Sequence, residues 1–319
     1  MQSKNYAAID IGTNSFHLII VKIKQDCSLV IIDREKEVIR LGSHQGEELS
    51  IISPDEIERG NNILTRFKKL ADFYEAEIRA VATSAVREAN NRNEFLEKVF
   101  AKTGIEIEVI DGKKEAAFIY KGVRKSLSYK QKKLICFDIG GGSSEIILGR
   151  NDEIFFGASI KIGAVRLSKK FFPGYILTEG AINNCNNYIE EMIKNNKEVN
   201  FDESHDIAVG ASGTILAVAG MIKYRRYGGK DKSLNGFVFT KPELEEVTGE
   251  ILKRKTPEQR VNIEGMEYKR ADIIPAGLLI LNKAFEIFNI KKMVISEFAL
   301  REGVVLSMLE KERNAEIKF

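Results

Sequence analysis

Two stretches of the chain show the same order of apolar and polar positions. Residues 6–22 read YAAIDIGTNSFHLIIVK, and residues 134–150 read LICFDIGGGSSEIILGR. In each stretch an apolar run ends close to an aspartate, a turn of small polar residues follows, and a second apolar run leaves the turn. This pattern predicts a β-hairpin in each stretch, with a small-residue tip that can approach a ligand closely.

The two stretches align without gaps and therefore indicate an internal duplication. Asp10 aligns with Asp138, and Ser15 aligns with Ser143, at an offset of 128 residues. That offset is too long for a solenoid repeat and is typical of two duplicated α/β domains.

Hydrophobic periodicity predicts alternating strands and helices in the rest of the chain. In the first half we expect strands at 29–41, 78–82 and 105–110, and helices at 54–74, at 85–102 and after Gly112. In the second half we expect strands at 134–139, 145–149, 153–160, 207–209 and 293–296, and helices from Thr178, from Thr214 and over 300–313. This order predicts an α/β protein with domains at 1–120 and 121–299, the last helix returning to the first domain, and a cleft between the domains.

The composition limits the number of domains and the kinds of partner, but it does not indicate a function. The chain has 319 residues, of which 44% are hydrophobic, so two domains could each bury a core. With 49 basic and 46 acidic residues the net charge is +3, so any anion site must be local, and nothing indicates a DNA partner. The apolar runs are too short for a membrane span, and we expect a cytoplasmic protein. Cys27, Cys136 and Cys185 are isolated, as expected for core thiols in a reducing compartment.

Three turns of small residues follow predicted strands and are candidate phosphate-binding loops. Such turns offer converging backbone N–H groups and hydroxyl donors. A single turn of this kind is more often only a tight hairpin. Two turns at equivalent positions of a duplication, each beside an aspartate, favour phosphate binding. The candidate residues are Gly12, Thr13, Asn14 and Ser15; Gly140, Gly141, Gly142 and Ser143; and Gly210, Ser212, Gly213 and Thr214.

The two aspartates are candidate metal ligands. Asp10 and Asp138 each lie at the end of an apolar strand, where an ionised carboxylate is costly unless it meets a donor or a cation. Each could cap its own turn, but Mg²⁺ explains both, because it binds one or two carboxylates together with water and phosphate oxygens. Glu145 lies on the strand that leaves the second turn. For Glu145 a role with metal or water and a solvent-facing strand position both remain open.

Two predicted helix starts carry further candidates. Thr83 and Ser84 lie where a strand leads into a helix N-terminus, a place that favours an anion. Arg87 could reach the same phosphate or be an exposed arginine of the first turn. Glu115 lies in the first turn of the helix after Gly112, where an acid is most simply a partner of the helix dipole. The three histidines, which include His17, do not cluster in the sequence and receive no role.

A segment over residues 223–232, KYRRYGGKDK, is basic. It could hold the distal end of a polyanion, or it could be a solvated loop.

These motifs together resemble the exopolyphosphatase and guanosine pentaphosphate phosphohydrolase family, within the actin-like ATPase superfamily. The resemblance runs from residue 6 to about residue 305 and matches the short form of the family, without the C-terminal HD-type domain of its longer members. Its motifs are AIDIGTNSFHLII, IRLG at 39–42, ATSAVREA, DGKKEA around Glu115, FDIGGGSSEI, GASGT and SEFALREGV at 296–304.

The resemblance implies two duplicated ribonuclease H-like domains and a Mg²⁺-dependent phosphohydrolase. Glu115 corresponds to the general base, Asp138 and Glu145 to residues associated with magnesium and catalysis, and Arg87 to the arginine of the ATSAVREA motif. The implied reaction is hydrolysis of the terminal phosphoanhydride of polyphosphate. Guanosine pentaphosphate is the alternative substrate. A kinase or ATPase of the superfamily and a non-catalytic guanosine tetra- or pentaphosphate sensor are competing classes, and a homodimer is left open.

Overall fold

The computed structural model describes residues 4–24, 28–42, 50–229 and 233–316. Cys27 and the end of the basic segment, residues 230–232, lie outside the described residues. Cys136 and Cys185 are buried free thiols, as predicted. In the part of the chain described, no helix combines the length and the apolar character needed to cross a membrane.

The described residues form eleven strands. They are β1 (Asn5–Ile11), β2 (Ser15–Ile23), β3 (Leu29–Val38), β4 (Ala76–Ala82), β5 (Ile107–Val109), β6 (Lys133–Ile139), β7 (Ser144–Arg150), β8 (Glu153–Ile160), β9 (Ile207–Ala211), β10 (Val238–Thr240) and β11 (Lys292–Ile295).

Eleven α-helices also lie in these residues. They are α1 (Pro54–Phe73), α2 (Ser84–Glu88), α3 (Arg92–Thr103), α4 (Gly112–Ser126), α5 (Ala164–Phe171), α6 (Glu179–Lys194), α7 (Gly213–Tyr227), α8 (Lys241–Lys253), α9 (Pro257–Arg260), α10 (Ile274–Ile287) and α11 (Leu300–Glu316). Two short 3₁₀ helices lie at Pro173–Tyr175 and Tyr268–Arg270.

The chain divides into two compact units. Unit 1 comprises residues 1–122 and 300–319, and unit 2 comprises residues 123–299. Unit 1 is therefore discontinuous in sequence, because α11 belongs with the elements at the start of the chain.

The two sheets share one strand order. In unit 1 the order is β3-β2-β1-β4-β5, and in unit 2 it is β10-β11-β9-β6-β7-β8. In both, a three-stranded antiparallel meander is extended by parallel strands on its first strand. Unit 2 thus repeats the five-stranded order of unit 1 and adds β10 at one edge. The predicted duplication of a ribonuclease H-like α/β domain is confirmed.

Alternation along the hairpin strands separates the face that packs on the main core from the opposite face. In unit 1 the core cluster takes Ile9 and Ile11 from β1 and Phe16 from β2, so Asp10 and His17 lie on the opposite face. In unit 2 the core cluster takes Phe137 and Ile139 from β6 and Ile146 and Leu148 from β7. Asp138 and Glu145 therefore also lie on the face that the main core does not use.

Several boundaries differ from the sequence prediction. The single helix expected over 85–102 is wrong: α2 ends at Glu88, and α3 begins at Arg92. Asn91 lies between them, and its side-chain amide bonds the backbone N–H and C=O of Ile52 at 2.9 and 2.8 Å. An asparagine that binds a neighbouring backbone favours a break over a continuous helix. Strand β3 ends three residues early, and α5, α8, β10 and α10 were not predicted.

Candidate functional site

The turn of unit 1 is held by its carbonyl groups. The Gly12 N–H donates to Ser15 O at 3.2 Å, and the N–H groups of Ile39 and Arg40 both donate to Asn14 O at 3.0 Å. Arg40 adopts a left-handed conformation, φ 56°. The IRLG motif at 39–42 therefore anchors the turn.

Two predicted phosphate-binding side chains of this turn are buried and lack a partner. Thr13 Oγ1 and Asn14 Oδ1 form no hydrogen bond within the described residues, although Thr13 and Asn14 are only 3% and 7% exposed. Buried polar atoms are nearly always bonded, so such exceptions are typical of a ligand site. The Thr13 hydroxyl can donate to a phosphate oxygen, which is consistent with the phosphate prediction, whereas the amide oxygen Asn14 Oδ1 is an acceptor and needs a donor.

Asp10 lies beside the turn in an environment that opposes its ionisation. Burial raises the pKa of Asp10 to about 7, the positive charge of Arg301 opposes that rise, and the negative charges of Glu115 and Glu302 add to it. A half-buried carboxylate with a raised pKa gains more than an ordinary one from a cation.

Glu115 and Arg87 form a buried ion pair. Arg87 Nη1 donates to Glu115 Oε2 at 2.8 Å and to the Ile110 carbonyl at 3.0 Å. Glu115 is 5% exposed, and burial raises its pKa while the positive charge and hydrogen bond of Arg87 oppose the rise. Arg87 is therefore neither an exposed arginine nor a side chain free in solvent. It orients the carboxylate that the family resemblance marks as the base.

The candidates at the start of α2 are buried, and one of them is already engaged. Ser84 donates its hydroxyl hydrogen to Glu88 Oε1 at 2.7 Å. The Thr83 side chain forms no capping bond with α2, and its N–H donates to Ile11 O at 3.2 Å. Thr83 keeps a hydroxyl for a ligand, whereas Ser84 would first have to release Glu88.

The turn of unit 2 is anchored by α5. The N–H groups of Val165 and Arg166 donate to Gly141 O at 2.9 and 3.1 Å, and Arg166 Nε donates to Gly142 O at 2.7 Å. Within the described residues, Gly141 and Gly142 donate to no backbone carbonyl outside regular secondary structure. With their carbonyl groups bound, their N–H groups remain for an anion.

This turn also has no room for a side chain at its neighbour Gly163. A Cβ at Gly163 would lie 2.3 Å from Gly141 O, a separation that real structures do not show. Gly140 repeats the geometry of Gly12, since its N–H donates to Ser143 O at 2.9 Å. The Ser143 side chain is buried at 5% exposure.

Asp138 and Glu145 face each other directly across β6 and β7. Directly opposite residues have Cβ atoms about 4.5–5.5 Å apart, and like charges there repel. Glu145 is 2% exposed and accepts a hydrogen bond from Ser159 Oγ at 2.7 Å, so the solvent-facing alternative is wrong. No group of three or more His, Cys, Asp or Glu side chains in the described ranges is arranged as a metal site. Two carboxylates on one face fit Mg²⁺, which takes its other ligands from water and phosphate.

In the third turn, at residues 210–214, two of the predicted phosphate-binding residues serve packing instead. Gly210 packs against Ile215 and Met293, and the Thr214 methyl group packs against Gly277, so both serve packing. Ser212 has φ 93°, a strained conformation for a non-glycine residue, and its hydroxyl accepts from the Ile215 N–H at 3.4 Å.

Arg270 completes this third turn and was not predicted. Its guanidinium lies so close over Gly213 that a Cβ there would be 1.9 Å from Nη2. Arg270 Nε donates to Glu267 at 2.7 Å, which holds the side chain in place. Sequence gave no direct signal, because Gly213 and Arg270 are far apart along the chain.

His17 and Arg301 are the other residues that sequence reasoning missed in unit 1. His17 lies directly opposite Asp10 on β2, and its ring contacts Ser15 and Arg301. The duplication offers a signal, since His17 aligns with Glu145.

The basic segment is not a loop over its first residues. Residues 223–227 form the end of α7, where Arg225 pairs with Glu246 and Glu250, and Arg226 pairs with Glu243. These arginines are neutralised by α8 and are poorly suited to hold a polyanion.

Comparisons with known proteins agree on one family. A model of the Ppx/GppA phosphatase family matches residues 19–312. A relative from Vibrio parahaemolyticus, named guanosine-5'-triphosphate,3'-diphosphate pyrophosphatase, is 34% identical over 98% of this chain and 61% of its own length. The chain thus spans about three fifths of that curated relative.

Solved structures show the same fold over nearly the whole chain. The Aquifex aeolicus member of the Ppx/GppA family has 32% identity and a TM-score of 0.81, covering 97% of this chain and 99% of that chain. A Cytophaga hutchinsonii protein described as an exopolyphosphatase has 27% identity and a TM-score of 0.88, covering 97% and 98%.

Proposed function

This chain belongs to the Ppx/GppA phosphatase family, and from that membership we propose that it hydrolyses a terminal phosphoanhydride bond and releases orthophosphate. Inorganic polyphosphate is the proposed substrate, and guanosine pentaphosphate is the second candidate. The buried carboxylate of Glu115, oriented by Arg87 at 2.8 Å, is the observation that carries the proposal. A binding protein would not need an oriented carboxylate beside a polyanion, because that charge would repel the ligand.

Glu115 is the proposed general base. Burial raises its pKa, which makes the carboxylate a stronger proton acceptor, while Arg87 keeps it ionised and fixes its orientation. A water molecule bonded to Glu115 would lose its proton as it attacks the terminal phosphorus. The released phosphate leaves from the opposite side, and little other covalent chemistry is required.

The turns of each unit carry candidate donors for phosphate groups. Unit 1 offers the hydroxyl groups of Thr13 and Ser15 at its anchored turn and of Thr83 at the start of α2. Unit 2 offers the N–H groups of Gly141 and Gly142 and, at its third turn, the guanidinium of Arg270. Donors aimed at charge that develops during reaction contribute most to the rate of such transfers. Gly12, Asn14, Gly140, Ser143, Ser212 and Gly213 shape these turns.

Asp138 and Glu145 are the proposed magnesium ligands in unit 2, and Asp10 is the candidate in unit 1. The ion would neutralise charge on the phosphate oxygens. Mg²⁺ binding measured by calorimetry should weaken in Asp138→Asn, with Asp152→Asn as a control on the exposed β7–β8 turn. Equal affinities in the three proteins would remove Asp138 from the metal site.

The names of the relatives divide on substrate. The Vibrio parahaemolyticus relative carries a guanosine nucleotide name at 34% identity, and the Cytophaga hutchinsonii structure carries an exopolyphosphatase name at 27% identity. Both substrates end in a phosphoanhydride that the proposed site could cleave.

The buried thiols Cys136 and Cys185 support a reducing compartment, and we place the reaction in the cytoplasm.

Phosphate release should be measured side by side on long polyphosphate, tripolyphosphate, guanosine pentaphosphate and ATP. Glu115→Gln, prepared identically, controls for contaminating phosphatase. Release from polyphosphate or guanosine pentaphosphate that depends on Glu115 supports the proposal and ranks the substrates. Release from ATP alone would indicate an ATPase. Tight guanosine pentaphosphate binding without release from any substrate would indicate a sensor.

A further inference from the structure

We propose that His17 is a positioning residue that makes the Ser15 hydroxyl a dedicated hydrogen-bond donor to a phosphoryl oxygen of the substrate. This inference rests on the proposed function, since it assigns a role within the phosphate site of unit 1. His17 Nε2 lies 2.7 Å from Ser15 Oγ, and His17 Nδ1 lies 3.3 Å from Arg301 Nη1. The imidazole therefore connects a serine at the turn to an arginine in the first turn of α11.

The arginine fixes the tautomer of the imidazole. A guanidinium has donors and no acceptor, so the contact with Arg301 requires His17 Nδ1 to accept. The ring proton must then be on Nε2, and Nε2–H donates to Ser15 Oγ. Because that oxygen already accepts from the ring, the serine's own hydrogen is directed to a different acceptor.

The same contacts argue against Ser15 as a nucleophile. A nucleophilic serine gives its proton to Nε2 of a histidine whose Nδ1–H is held by an acceptor such as aspartate. Here a donor, Arg301, occupies the place of that acceptor. The direction of the hydrogen bonds from Arg301 through His17 to Ser15 is therefore the reverse of that in a nucleophilic serine site. Ser15 donates its hydrogen to the ligand and forms no phosphoserine.

With its oxygen accepting from His17, the Ser15 hydroxyl has no acceptor for its own hydrogen among the hydrogen bonds of the described residues. Ser15 is 6% exposed, and its hydroxyl forms no further hydrogen bond within the described residues. It lies in the turn where the Thr13 hydroxyl is also buried and has no partner among the described residues. An anionic oxygen would satisfy hydroxyl donors there, as expected for a phosphoryl group.

The duplication shows why a histidine is needed. The residue that aligns with His17 is Glu145, which faces Asp138 as His17 faces Asp10. A carboxylate at position 17 would accept the Ser15 hydrogen instead of sending it outward. The histidine thus leaves the Ser15 hydroxyl of unit 1 available to an anion, whereas unit 2 has two facing carboxylates, Asp138 and Glu145, for a cation.

The tautomer is measured directly in the wild-type chain by nitrogen-15 NMR of the histidine rings. The chain has only three histidines, and the His17 signals are assigned by their loss in His17→Gln. We expect a neutral ring with the proton on Nε2. A ring with the proton on Nδ1, or a doubly protonated ring at pH 8, would overturn the proposal.

A double-mutant cycle on kcat/KM tests the function of the pair. Ser15→Ala should lower kcat/KM about 10- to 100-fold, as for the loss of a hydrogen bond to a charged group. His17→Phe should lower it about 3- to 10-fold, and His17→Gln, whose amide can still donate to Ser15, should recover most of that loss. In the Ser15→Ala background His17→Phe should cost less than about twofold. An equal cost in both backgrounds would overturn the proposal, and His205→Phe in unit 2 is the matched control.

Failure of this proposal is distinguishable from failure of the proposed function. A wild-type chain that releases no phosphate from any substrate refutes the proposed function alone. Tripolyphosphate binding, measured by calorimetry in the Glu115→Gln background, then replaces kcat/KM in the same cycle. Equal affinities with and without His17 would overturn the inference. So would a phosphorylated Ser15 peptide found by mass spectrometry after mixing with substrate.

Discussion

The carboxylate of Glu115 is oriented by Arg87, which lies 28 positions away in the sequence. Changing Glu115 to Gln keeps the size of the side chain and removes the proton acceptor. Turnover should fall about 10²- to 10⁴-fold, the usual contribution of a general base. Substrate affinity should survive, because the turns and Arg270 remain.

Turnover and affinity are therefore measured on the same Glu115→Gln preparation. Glu108→Gln is the control, because Glu108 pairs with Arg79 and belongs to no proposed site. Turnover within about threefold of wild type, too little for a lost base, would reduce Glu115 to a partner of the helix dipole.

The ion pair also predicts how activity responds to pH. Glu115, the proposed general base, must be ionised, so kcat/KM should fall as pH drops through its pKa, which burial raises above the ordinary value of 4.5. Arg87 holds that pKa down, so Arg87→Gln should move the acid limb of the profile to higher pH. Arg87→Lys keeps the charge and should leave the limb close to wild type. A limb at the same pH in all three proteins would exclude Glu115 as the titrating group.

At this scale the sequence identified residue types but not their partners. Asp10, Glu115 and the turn residues were found from local motifs, because a strand end or a glycine turn is a local property. The contacts of Arg87 with Glu115 and of His17 with Arg301 join distant segments, and only the folded chain brings them together. Ser84 shows the reverse case, since its hydroxyl is taken by Glu88 within the same turn of helix.

At the element scale, the approach of α5 to the turn of unit 2 leads to a prediction about Gly163. Gly163→Ala places a methyl group against Gly141 and must displace the turn. Phosphate release should fall at least about tenfold, because donors misplaced by an ångström lose much of their effect. Overall stability should fall by only about 1–3 kcal/mol.

The control for Gly163 is Gly249→Ala in α8, where a Cβ meets nothing within 4 Å. That change should be neutral in activity and stabilise the chain by about 0.5–1 kcal/mol. Circular dichroism with urea measures stability, and phosphate release measures activity. Full activity in Gly163→Ala would show that the turn tolerates displacement.

Periodicity predicted several helices that have one apolar and one polar face. Helices α1 and α6 alternate in this way, and their predicted starts agree with the structure. Helix α10 is buried over most of its length, including Leu278 and Leu281, and therefore has no polar face to mark its period. The break between α2 and α3 depends on Asn91 binding Ile52, a contact between separate segments.

At the scale of the whole molecule, α11 joins unit 1 through a close contact with α4. A Cβ at Gly303 would lie 1.8 Å from the Phe118 carbonyl oxygen, so the two helices touch through the glycine. Gly303→Ala should destabilise unit 1 by at least about 2 kcal/mol through overpacking. Amide hydrogen exchange should show the loss of protection in unit 1 and not in unit 2.

Gly220→Ala in α7 is the matched control, since nothing lies within 4 Å of its added Cβ. Equal protection of unit 1 in wild type and Gly303→Ala would contradict the importance of this helix contact. The two-unit architecture could be predicted because residues 6–22 and 134–150 align without gaps. The crossing of α11 with α4 could not, since a glycine in a helix gives no sign of what approaches it.

The discontinuity of unit 1 has a consequence for how the protein is made. Strands β1 and β4 are synthesised early, whereas the residues of α11 that bond to this part of unit 1 are synthesised late. Glu312 binds Lys4 and Tyr6, and Ser307 binds Arg79. Unit 2 is continuous in sequence and can finish folding during synthesis. Unit 1 cannot, because its sheet lacks the cover of α11 until the end of the chain is made. Because Arg301 also belongs to α11, a chain stalled before α11 lacks the side chain that contacts His17 in the proposed phosphate site. Nascent chains stalled before α11 should therefore be the form that chaperones and proteases recognise.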